Sequence, residues 1–124
     1  MSNIMAVLLD GIAQLEYDRD RPLLVHQAAY LDKMDARMDD GILIGDETLA
    51  SPDINQRAQF VAGNLVHAFN TGDEQLAGAM CSWLAIRLPE LKQVRIRTDE
   101  AGEVAIELVF DEEYRRQVAV DFTR

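Results

Sequence analysis

The chain has 124 residues, 22 Asp and Glu against 12 Lys and Arg, a net charge of −10, and 48% apolar residues. That length makes one domain able to bury roughly two thirds of its unfolded surface. The apolar content excludes a disordered chain, and the charge argues against nucleic acid and anionic membranes, which want basic patches.

The single cysteine, Cys81, excludes an intramolecular disulfide and fits a reducing, cytoplasmic compartment. The apolar run from Ile4 to Leu9 has no basic residue before it and ends at Asp10, so no signal peptide is read there. No segment approaches the length needed to span a bilayer. The charge is uneven: residues 1–50 hold ten acidic against four basic side chains. A solvated surface explains that excess, and it also allows a basic protein partner.

Residues 3–16 read as a first helix, with Ile4, Leu8, Ile12 and Leu15 on one face. A polar connector, residues 17–21, leads to Pro22 at a first-turn position, and a second helix is expected over 22–40. Leu24, Ala28, Leu31 and Met38 carry its seam, Asp35 interrupts it, and Val25, Tyr30 and Met34 flank it. Gly41 suits the residue after the helix end. These two helices should form an antiparallel hairpin. The stretch 42–49 has two readings. One is a small β-arm turning at Gly45-Asp46, and the other is an ordered loop that drops Ile42, Ile44 and Leu49 onto the core.

Ser51-Pro52-Asp53 marks the start of a third helix over 52–69, with Ser51 as N-cap. The fourth, 73–88, is the most apolar and holds the only Trp and Cys. Thr71 and Glu74 suggest a capping box at its start, and Pro89 stops it. The last third changes to period two. Strands are expected at 92–98, 103–110 and 117–123, each with one apolar face. A three-residue loop ending in a left-handed Gly102 sets Asp99 opposite Glu103, Ile96 opposite Ile106, Val94 opposite Leu108 and Arg95 opposite Glu107. The expected fold is α+β: four helices in two antiparallel hairpins packed on a C-terminal three-stranded antiparallel meander.

No constellation here amounts to an active site. His26, His67 and Cys81 have no CxxC, HxxxH or HExxH spacing, and Cys81 lies inside an apolar helix, where a thiol is usually inert. No catalytic, cofactor-binding or metal residue is therefore assigned, and no cofactor is expected. The acids around Gly41 invite a calcium reading. However, placing Gly41 at the EF-hand glycine puts Ala36 and Met38 where oxygen ligands are required.

The expectation is a non-enzymatic accessory domain that binds a protein partner and forms a homodimer through the strand at 117–123. Asp35, Asp39, Asp40, Asp46, Glu47, Ala119 and Asp121 are its candidate interaction residues. An alternative is a small-molecule binder or enzyme with Trp83, Tyr30, Phe69 and Phe110 lining a pocket between helices and sheet. A third is an acidic inhibitor or chaperone of a basic partner.

Overall fold

Asp10 and Gly11 decide the structure of the N-terminal residues. The computed structural model describes residues 3–44 and 46–115. In it both residues have positive φ, 50° and 86°, as a two-residue type I′ hairpin turn requires. They join β1 (Ile4–Leu9) to β2 (Ile12–Asp18), with Leu9 opposite Ile12. The helix expected over 3–16 is therefore a β-hairpin. Its residues fit a helical face by spacing, but Asp-Gly between apolar runs is a strong hairpin signal, and an unbroken run such as Ile4–Leu9 suits a strand covered on both faces.

Among the described residues four strands form one mixed sheet in the order β2-β1-β5-β6, with β5 at Gln93–Thr98 and β6 at Val104–Val109. β1 runs parallel to β5, Val7 opposite Val94, and antiparallel to β2. The expected three-stranded meander is thus overturned, because the neighbour of β5 beyond β6 comes from the chain's start. Its β5–β6 portion keeps the expected register, with Val94, Arg95 and Ile96 opposite Leu108, Glu107 and Ile106. Gly102 has φ 82° and Asp99 N–H donates to Glu103 O at 3.0 Å. The strand at 117–123 lies outside the described residues. In β2, Leu15 pairs with Val7 and Ala13 with Leu8, so Gln14 is the extra residue of a bulge.

Among the described residues three helices, not four, pack with this sheet: α1 (Val25–Asp39), α2 (Ile54–Thr71) and α3 (Glu74–Arg87). The expected pair of helical hairpins reduces to one, α2 and α3, joined through Gly72 and Asp73. Met5, Val7, Val94 and Ile96 meet Ala58, Val61, Leu65, Trp83 and Leu84 in the main core. The opposite sheet face carries a smaller cluster of Ala6 and Leu8 under Tyr114.

The caps shift from their expected positions. Asp53, not Ser51, caps α2: its carboxylate accepts from Gln56 N–H, and the Gln56 side chain accepts from Asp53 N–H. Asp73 caps α3 by accepting from Leu76 N–H, while the Thr71 hydroxyl donates back to His67 O within α2. In each case a carboxylate one residue before the helix outcompetes the hydroxyl further upstream. α1 starts at Val25 rather than 22, because Leu24 has extended geometry. Between α1 and α2, β3 (Ile42–Ile44) and β4 (Glu47–Leu49) pair as the small arm, with Ile42 opposite Leu49. Gly41 holds φ 112° beside the Leu49 carbonyl, so a Cβ there would lie 3.1 Å from that oxygen.

Two polar anchors tie the N-terminal hairpin down. The Asp10 carboxylate accepts from Thr98 N–H and from the Thr98 hydroxyl, both at 2.8 Å, and Asp10 N–H donates to Ile96 O. Arg19, just past β2, donates to Ala85 O, Leu88 O and Leu91 O at 3.0, 3.0 and 2.6 Å. It thereby satisfies carbonyls at and beyond the end of α3, where helical partners run out. A cation there also complements the helix dipole.

Both anchors have measurable consequences. Replacing Arg19 by Ala should cost roughly 3 kcal/mol in denaturant unfolding, because three carbonyls lose a charged donor. Lys, with a single ammonium, should recover only part of that. The Thr98 amide and then the Thr98 hydroxyl hold the Asp10 carboxyl below its ordinary value of 3.8. The folded state therefore favours ionised Asp10. Its contribution is present above the ordinary value and is lost as pH falls through the lowered one. The Tm difference between wild type and Asp10→Asn should be largest near neutrality and shrink below about pH 4. A difference independent of pH would rule out this carboxylate as the stabilising species.

Candidate functional site

The acidic residues proposed for interaction divide into structural and exposed groups. Asp35 accepts from Trp83 Nε1–H at 2.7 Å and from Arg87 Nε–H at 2.9 Å. It thus holds the indole of a fully buried tryptophan and ties α1 to α3. Arg87 also reaches Asp32 at 3.0 Å. Asp39 pairs with Arg57 of α2 at 2.7 Å, and the same guanidinium donates to Asp35 O and Pro52 O. The unfavourable acid at the end of α1 is therefore neutralised by tertiary structure. Asp40, Asp46 and Glu47 are exposed around the arm. Ala119 and Asp121 lie outside the described residues.

The three nucleophile or metal candidates serve no shared site. Cys81 is buried in α3, and that burial pushes its thiol up to about 12. At neutral pH it is a protonated, apolar core group. His26 is exposed on α1 and His67 on α2. Among the described residues no three His, Cys, Asp or Glu side chains converge to hold a metal. The proposed aromatic pocket is also dispersed. Trp83 is core, Phe69 packs at the core's margin, and Phe110 is exposed beyond β6.

Tyr30 points elsewhere, into a groove that the sequence reading missed. One hollow, about 680 Å³, lies between the first half of α1 and the start of α3. His26, Gln27, Tyr30, Asp73, Glu74, Leu76, Gly78 and Ser82 are among its lining residues. A second, about 350 Å³, is lined by Tyr30, Met34, Arg37, Met38, Ile42, Phe60, Asn64, Leu76 and Met80. The two adjoin at Tyr30 and Leu76, which line both, and together they make an interrupted groove along α1 over the α2–α3 pair.

The local sequence builds it. His26, Tyr30 and Met34 recur every four residues on α1, one side of a helix. Gly78 and Ser82, also four apart on α3, are small where α1 passes, and a Cβ on Gly78 would meet nothing within 4 Å. Met34 is partly exposed and can repack, whereas Met38 and Met80 reach the hollow from the buried core. Tyr30, which lines both hollows, is 44% exposed. The methionines and small residues were visible in the sequence; which helix faces which was not.

The division of the acids is testable by denaturant unfolding. Asp35→Ala should cost roughly 2–3 kcal/mol by stranding the Trp83 N–H and the Arg87 charge. Asp46→Ala and Glu47→Ala should each stay within about 0.5 kcal/mol of wild type. Equal small effects at all three positions would remove the structural role given to Asp35. A comparison with protein-family models gives no match to this chain, and comparisons with curated proteins and with solved structures likewise give none.

Proposed function

We propose that this chain is a non-enzymatic, cytoplasmic accessory domain that docks a protein partner in the groove between α1 and the α2–α3 pair. The observation that carries this reading is the pair of adjoining hollows between the helices: Tyr30, 44% exposed, and Leu76 line both, and Met34 and Phe60 line the second. The free, buried Cys81 supports a reducing compartment. No helix among the described residues is long and apolar enough to cross a membrane.

A second reading rests on the smaller hollow. Its volume of about 350 Å³, apolar walls and two polar residues, Arg37 and Asn64, suit an apolar carboxylate ligand. Decanoate should then raise Tm in the wild type and fail to do so in Arg37→Gln.

The deciding experiment for the docking reading is affinity capture from the protein's own cell extract, with wild type and Gly78→Leu compared. Leucine fills the groove floor from a position with open space, and it replaces a helix-interior glycine that costs roughly 1 kcal/mol relative to alanine. The variant should therefore stay folded while losing a stoichiometric partner that the wild type retains. Equal recovery of that partner by both, or recovery of the bait alone, would overturn docking in the groove.

A further inference from the structure

We propose that the occupant of this groove is a basic amphipathic helix from a protein partner, seated with its apolar face on Tyr30, Met34 and Leu76. This rests on the groove being a docking site, and adds the shape and charge of what docks. α1 lines the channel from His26 to Met38, a span of roughly 18 Å at the rise of an α-helix. That length matches about three turns of a partner helix with apolar anchors at i, i+3, i+4 and i+7. A strand would need a free sheet edge for its backbone, whereas this channel is walled by helices whose backbone groups are already paired. A helix satisfies its own backbone and presents only side chains.

Charge complementarity selects the sign. The chain carries a net charge of −10. Asp73 and Glu74 line the end of the channel nearest His26, and Arg37 lines the other. Lysines or arginines on the flanks of the docked helix meet those carboxylates at one end, and the overall field steers a cationic segment toward the face. Met34, partly exposed in the second hollow, adapts to different anchor side chains, so the site specifies an amphipathic pattern more than one sequence.

The test uses a dye-labelled model peptide of about 14 residues, leucine on one helical face and lysine on the other, titrated with the full-length protein. Two controls accompany it: one with glutamate in place of lysine, and one with the leucine–lysine composition scrambled. Fluorescence anisotropy should show saturable binding of the amphipathic leucine–lysine peptide. Gly78→Leu should weaken it at least about tenfold. Asp73→Asn with Glu74→Gln should weaken it severalfold and flatten its salt dependence, since asparagine still caps α3. Thermal melts establish that both variants are folded.

Equal binding of the scrambled peptide, wild-type affinity in Gly78→Leu, or no binding of the leucine–lysine peptide would each overturn the proposal. Binding of the glutamate peptide instead, abolished by Gly78→Leu, would remove the basic helix and leave the groove as a docking site. A dimer in sedimentation that Gly78→Leu dissociates would name a second copy as the occupant and overturn the basic helix as well. Retention of the cellular partner by Gly78→Leu separately sinks the docking reading.

Discussion

β1 is the strand on which the other elements depend. It is hydrogen-bonded on one side to β2 and on the other to β5, and Met5, Ala6 and Val7 are fully buried on alternating faces. Met5 and Val7 supply the surface against which α2 and α3 pack, and Ala6 and Leu8 supply the opposite face that Tyr114 covers. Without β1, the β5–β6 hairpin would be a two-stranded ribbon, which is marginal in water. The parallel pairing of β1 with β5 sets Ala6 opposite Gln93 and Leu9 opposite Ile96, so it encloses β2, the small arm and all three described helices between its two strands.

Charged groups finish what apolar burial begins. Arg19 covers the carbonyls at the end of α3, Arg87 and Trp83 converge on Asp35, and Arg57 holds Asp39. Each contact joins elements that are distant in sequence, and each places a cation where a helix end or a carboxylate would otherwise be unmatched. With these groups occupied in holding α1 to α2 and α3, the chemistry visible in the sequence is largely absorbed by structure. What stays open is geometric: a groove beside the loosely buried helix α1, where the described helix residues fully or nearly buried are Leu31 and Met38.

That division frames the function. The groove mixes apolar Tyr30, Met34, Phe60 and Leu76 with polar Gln27, Asn64 and Ser82 and with charged Arg37, Asp73 and Glu74. In the docking proposal the overall acidic excess steers a cationic partner, and Asp73 and Glu74 meet its charges at one end of the groove.

By itself the sequence determined whatever depends on neighbours along the chain. The 3.6-residue spacing of Ala58, Val61, Ala62 and Leu65 specified α2, and the apolar run around Trp83 specified α3. The alternation in β5 and β6, with Gly102 at φ 82°, set their register. The Asp10-Gly11 hairpin was also legible, but residues 4–15 satisfy helical and strand periods alike, and spacing alone chose the wrong one. Only the tertiary structure decided that β1 pairs with β5, that Asp35 belongs to Trp83, and that Met34 and Met80 face one groove. Those partners lie far apart in sequence, and pairwise burial and hydrogen bonding across such distances leave no local period to read.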